Sequence, residues 1–245
     1  MAVFALWSAP RARSTAFFRS MAERGDLVVA HEPFSSLLNF GETDVEGGPF
    51  DSAASLLAWL RDGTRDLGVF LKDTSDYRYR EVLADRRFLA EARHAFLIRR
   101  PEEIAASYHA LHPDMTIAAV GLEYLHELHT AVARAGGHRP VVIDSDDLVA
   151  RPAATLAAYC AAVDLPYLSE ALSWAPGERS EWRRTARWHT EVSASSGFEQ
   201  HARTYTHTVE TSAHLAGYAA HHRPFYEQLH AQRLTIPPEE PSTDH

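Results

Sequence analysis

Five short β-type runs constrain the fold of this chain more than any other feature: Val3–Trp7, Leu27–Ala30, Gly68–Lys72, Ala95–Arg99 and Pro140–Asp144. Each is separated from the next by a segment with helical potential. Strands joined by helical crossovers lie parallel, and a parallel sheet needs helices on both faces. The expected fold class is therefore α/β, a single domain with a central parallel sheet flanked by helices. The chain has 245 residues, 45% of them hydrophobic, which suits one full-sized core. The domain is expected to occupy residues 1–236. Residues 237–245, made of Pro, Glu, Ser, Thr, Asp and His, are expected to be a disordered tail.

Charge and composition exclude several function classes. The net charge of −9 is opposite to a nucleic-acid-binding footprint, so an anionic ligand must meet a local basic pocket. Cys160 is the single cysteine, which rules out an intrachain disulfide framework and fits a reducing, cytoplasmic location. The apolar start Met1–Trp7 is too short for a signal peptide and reads as a first strand. No apolar stretch approaches the roughly 20 residues of a membrane span. The chain is therefore expected to bind neither nucleic acid nor membrane; its oligomeric state stays open, with a homo-oligomer allowed.

The segments between strands have their own punctuation. A helix is expected from about Ser14 to Arg24, with Ser14 as N-cap. Residues Phe34–Phe50, with three glycines and Pro49, read as a long irregular loop and a candidate substrate lid. Pro101, Glu102 and Glu103 open a helix through Tyr108 that Pro113 ends. Apolar residues at spacings of four predict a helix from about Thr116 to Ala135, stopped by Gly136-Gly137. Pro152 opens another through about Val163, and a last one spans about Val209 to Gln232.

The turn Ser8-Ala-Pro-Arg-Ala-Arg-Ser-Thr15 places Arg11, Ala12, Arg13, Ser14 and Thr15 between a strand and a helix. Two guanidinium groups, small hydroxyls and a helix N-terminus make an anion cradle there. No Walker A sequence occurs, which weighs against ATP chemistry. A second constellation lies in His94–Tyr108, where Arg99 ends a strand and Ser107 follows eight residues later on a helix.

Taken together, these two motifs resemble the sulfotransferases that use 3′-phosphoadenosine 5′-phosphosulfate (PAPS). The resemblance implies a P-loop-like sulfotransferase fold, in which the first loop holds the 5′-phosphosulfate and Arg99 and Ser107 hold the 3′-phosphate. It extends through Val141–Pro152. More narrowly, His31-Glu-Pro-Phe34, Phe70-Leu-Lys-Asp73 and Trp188-His189 are similar to a bacterial branch sometimes labelled aminotransferase-like. Nothing around the single lysine, Lys72, reads as a pyridoxal-phosphate site.

On this resemblance PAPS is the co-substrate, and the acceptor is a small-molecule hydroxyl or amine. Lys72, at the end of the third strand, and Arg11 are candidates to neutralise the transferred group. Arg11 stands where the wider family usually has lysine. Glu32 is the first candidate for the base and His31 the second, with Asp73 and Asp76 behind them. A late Arg-containing loop completes the 3′-phosphate site in the family, so Arg183, Arg184 and Arg187 are candidates, although the usual glycine-rich form is missing. No metal site is expected: His126/His129 and His221/His222 lack a clear third ligand. The rival readings are a P-loop-type phosphotransferase and a catalytically degenerate nucleotide-binding member of the same fold.

Overall fold

The computed structural model describes residues 2–46, 48–63, 66–199 and 204–236; the expected tail, 237–245, lies outside them. In chain order the main elements are β1 (Val3–Ser8), α1 (Ser14–Glu23), β2 (Leu27–His31), α2 (Pro33–Phe40), β3 (Thr43–Val45), β4 (Gly48–Phe50), α3 (Ala53–Asp62) and β5 (Gly68–Thr74). They continue with α4 (Arg80–Ala84), α5 (Arg86–Glu91), β6 (Arg93–Ile98), α6 (Pro101–His109), α7 (Leu122–Ala135), β7 (Val141–Asp144), α8 (Ser145–Ala150), α9 (Pro152–Ala162), α10 (Thr190–Ala194) and α11 (Ala213–His230).

The five strands expected from sequence form one parallel sheet in the order β2-β5-β1-β6-β7. β1 is central and all six of its residues are buried. The register sets Lys72 beside both Leu6 and His31, and Asp73 beside Trp7. Because side chains alternate between faces, Phe70 points toward α1, where it meets Phe17 and Phe18, and Tyr159 of α9 packs edge-on against Phe17. Trp7 points the other way and packs against Phe34, Tyr79 and His94. Helices therefore cover both faces, and the α/β class stands as expected.

Three local expectations are corrected. Residues 34–50 are not an irregular loop: they hold α2 and the antiparallel β3-β4 pair. The helix forms because Pro33 sits in its first turn and Asp73, 39 residues away, accepts from the Phe34 N–H at 2.7 Å and the Ser35 N–H at 3.3 Å. That cap comes from a neighbouring strand and is invisible in the local sequence. Ser14 is not the N-cap of α1; Arg13 takes that position in the left-handed region at φ 66°. The helix expected from Thr116 is broken at Gly121, where φ is +77°, into a 3₁₀ turn Ile117–Val120 and α7. A Cβ at Gly121 would come within 2.7 Å of Pro10 Cδ and 2.8 Å of Ser75 Oγ, so this glycine lets α7 begin directly behind the first loop.

Candidate active site

The carboxyl ends of β1, β2, β5 and β6 open into a cavity of about 1040 Å³ whose wall includes Arg11, Arg13, Thr15, Glu32, Lys72 and Arg99. Four non-glycine residues among those described adopt positive φ, and three of them, Arg11, Arg13 and Glu32, line this cavity. Such conformations persist only where the surroundings enforce them, and they gather at functional sites. In the first loop the two left-handed residues, Arg11 and Arg13, flank Ala12, which is fully buried.

The two sequence motifs meet across this loop. Arg99 donates from Nη1 to the carbonyl of Arg11 at 2.7 Å, while its Nε donates to Glu103 at 2.7 Å. Arg11 in turn donates from Nε to Ser107 Oγ at 3.1 Å and from Nη1 to the carbonyl of Trp188 at 3.0 Å. Arg13 reaches the carbonyl of Glu199 at 3.2 Å. Burial and the neighbouring Arg99 guanidinium both lower the Arg13 pKa from its ordinary value. Like charges held together at a cavity wall are what an anion relieves. Arg187 lines the cavity with its guanidinium 5.0 Å from the Trp188 ring centroid. Arg184 also lines the cavity, with its guanidinium turned toward Glu42 at 2.7 Å and over Phe40. Arg183 is not part of the cavity wall.

At the floor, Lys72 Nζ donates to Glu32 Oε1 with only 1% of the lysine side chain exposed. Burial alone raises a carboxyl pKa, but the Lys72 ammonium, followed by His31 and His189, overcomes it and holds Glu32 at about 2. His31 packs beside them, its Nε2 3.9 Å from Glu32 Oε1 and buried without a hydrogen-bond partner among the described residues. Burial, with help from Lys72 and His189, keeps its pKa well below the usual range. His189 bridges Thr15 Oγ1 at 2.9 Å through Nδ1 and Thr185 Oγ1 at 3.2 Å through Nε2. Burial brings it to about 4, against the pull of Glu32 and with that of Lys72 and Arg11.

His31, Glu32 and His189 bring ligand-type atoms within 4.8 Å of one another, a grouping that sequence spacing could not reveal. A cation there must compete with the Lys72 ammonium for Glu32 and with two threonine hydroxyls for His189. The histidines of the two pairs noted in the sequence have structural partners, His126 against Phe225 and His221 beside Glu123 among them. His129 packs edge-on against Phe96, and His222 accepts from the Glu123 N–H at 3.3 Å and lies 2.8 Å from the Ile117 carbonyl.

Asp73 and Asp76, the further candidates for the base, differ in position. Asp73 is completely buried, takes the α2 N–H groups described above and accepts from Ser35 Oγ at 2.6 Å and Tyr79 Oη at 2.9 Å. Burial first and Glu32 second raise its pKa to about 7. It is not part of the cavity wall, whereas Asp76 is. Sequence reasoning gave no separate role to His189, Thr185 or Trp188. The only signal for them was the Trp188-His189 pair, set in a segment that departs from the usual glycine-rich pattern.

The chain is 30% identical over 210 residues to branched-chain-amino-acid aminotransferase-like protein 2 of Arabidopsis thaliana, covering 81% of this chain and 36% of that protein. It is 28% identical over 203 residues to protein 1 of the same name and organism, covering 78% and 36%. The chain thus spans about a third of the length of these curated relatives. Among solved structures, the sulfotransferase domain of the Synechococcus PCC 7002 olefin synthase aligns with a TM-score of 0.49 at 14% identity, covering 90% of this chain and 94% of that one. A family model described as a sulfotransferase domain matches residues 1–232, from the first strand through the last helix. With nearly its whole length accounted for by that match, the chain belongs to the sulfotransferase-domain family.

Proposed function

We propose that this chain moves the sulfuryl group of PAPS onto a hydroxyl or amine of a small-molecule acceptor by in-line transfer. Membership of the sulfotransferase-domain family supports sulfuryl transfer as the reaction class. The observation that carries the finer reading is the meeting of Arg99, Ser107 and the first loop through Arg11, because it joins the two phosphate-binding motifs on one wall. The donor set fits PAPS: left-handed residues at Arg11 and Arg13 lead into the N-terminus of α1, and Arg13 and Arg99 line the same cavity.

In this reading the first loop and α1 hold the 5′-phosphosulfate, and Arg99 and Ser107 hold the 3′-phosphate. PAPS, when bound, supplies a sulfuryl group on a good phosphate leaving group. Lys72 and Arg11 neutralise charge as a new bond forms from sulfur to the acceptor and the sulfur–oxygen bond to the phosphate breaks. The leaving phosphate keeps the electron pair, and Glu32 takes the acceptor proton. Glu32 is a weak base while Lys72 is bonded to it. As Lys72 turns toward the transferred group, the carboxylate loses the charge that holds its pKa down and burial makes it more basic.

Isothermal titration with adenosine 3′,5′-bisphosphate and with adenosine 5′-phosphate tests the assignment. The 3′,5′-bisphosphate is expected to bind more tightly; equal weak binding of the two overturns the 3′-phosphate site.

A further inference from the structure

The cavity wall carries charges of both signs. Arg11, Arg13, Arg99 and Arg100 line it together with Glu103 and Asp146, which pair with Arg99 and Arg100; Glu32, Asp76, Tyr77 and Tyr108 line it together with Lys72 and Arg187. Asp76 lies two residues beyond β5, and its Oδ1 is buried without a hydrogen-bond partner among the described residues. Burial raises its pKa, Glu32 adds to that, and the Thr74 hydroxyl only partly offsets it. Lys72 is a cation that acts on this carboxylate, yet its ammonium is bonded to Glu32. Tyr77 and Tyr108 both lie close enough to feel the Asp76 charge. Tyr77 donates its hydroxyl to Asn39 Oδ1 at 2.9 Å, so that proton is not offered to Asp76.

We infer that this part of the cavity selects acceptors carrying a protonated amine, with Asp76 as counter-ion and the Tyr77 and Tyr108 rings as walls. The inference rests on the sulfotransferase reading given above. A neutral hydroxyl could donate to Oδ1, but an ammonium donates and also cancels the charge that burial makes costly. The Tyr77 and Tyr108 rings, which line the same cavity, would favour a cation further. The amine is held at Asp76 while a second group of the acceptor, a hydroxyl or another amine, is presented to Glu32.

The test uses matched pairs that differ only in the amine, tyramine with 4-ethylphenol and dopamine with 4-ethylcatechol. Each is titrated at neutral pH into the chain saturated with adenosine 3′,5′-bisphosphate. At least one amine is expected to bind about ten- to a hundredfold more tightly than its neutral partner, the range of a charge-assisted hydrogen bond. In Asp76→Asn that ratio falls toward one, and the affinity for adenosine 3′,5′-bisphosphate reports that the variant is folded. Equal binding within both pairs, no binding by either amine, or an amine preference that survives Asp76→Asn overturns the inference. Loss of the preference for adenosine 3′,5′-bisphosphate over adenosine 5′-phosphate in the unaltered chain instead overturns the sulfotransferase reading beneath it.

Discussion

Lys72, the single lysine of the chain, gives its ammonium to the Glu32 carboxylate at the floor of the cavity, with 1% of one side chain and 14% of the other exposed. β2 and β5 bring them together, since Lys72 pairs in register with His31 and the Glu32 N–H donates to the Lys72 carbonyl at 2.6 Å. Removing one partner leaves the other buried and unmatched, which costs roughly 3–5 kcal/mol. Lys72→Met and Glu32→Gln are each expected to lower stability on that scale, and the double variant to lose much less than the sum. Urea denaturation of the four proteins measures this coupling; additive losses contradict it. Turnover of Glu32→Gln is expected to fall about a hundredfold or more if the residue serves as base.

Acid sensitivity follows from the buried histidines. His94 accepts from the Trp7 indole N–H at 2.9 Å through Nδ1 and faces the Phe88 carbonyl at 3.2 Å through Nε2, an arrangement suited to the neutral ring. Burial lowers His94 to about 4, as it does His189. Unfolded histidine takes up a proton near pH 6.5, so the stability these groups contribute is complete above that pH. It is lost as pH falls toward 4, by roughly 3 kcal/mol per group.

Asp73 opposes this trend. Its folded pKa of about 7 lies above the ordinary 3.8, so it adds stability as pH falls through that window. The urea midpoint is expected to drop between pH 6.5 and 4.5, less in His94→Gln and more steeply in Asp73→Asn. A flat profile, or the same slope in all three proteins, contradicts the assignment.

The 3′-phosphate site makes a prediction about discrimination rather than overall affinity. Arg99→Ala is expected to cost about 2 kcal/mol in binding adenosine 3′,5′-bisphosphate, and Ser107→Ala about 1 kcal/mol. Both should change adenosine 5′-phosphate binding far less. Equal losses for the two nucleotides would mean that Arg99 acts only by supporting the Arg11 carbonyl, which it also touches.

Gly121 ties the first loop to the start of α7. Gly121→Ala puts a side chain into the left-handed region and against Pro10 and Ser75, at an expected cost of about 2–4 kcal/mol. Weaker nucleotide binding should accompany the lower melting temperature, because the displaced Pro10 belongs to the loop. Unchanged stability would show that the backbone there shifts freely.

The period of the hydrophobic pattern determined the sheet. Five β-type runs alternating with helical segments leave little choice but a parallel α/β fold, and each run became a strand within two residues at either end. The placement of the first loop between β1 and α1, of Arg99 just after β6 and of Ser107 on α6 was equally legible, because residue types and spacing are local properties. What tertiary structure decided were relationships between segments far apart in sequence. Asp73 caps α2 from another strand, turning an expected loop into a helix. His189 reaches Thr15 across 174 positions and joins Glu32 and Lys72 at a floor that no spacing rule describes. Local sequence carries propensity and periodicity, whereas charge pairing and burial depend on which strand ends the sheet sets side by side.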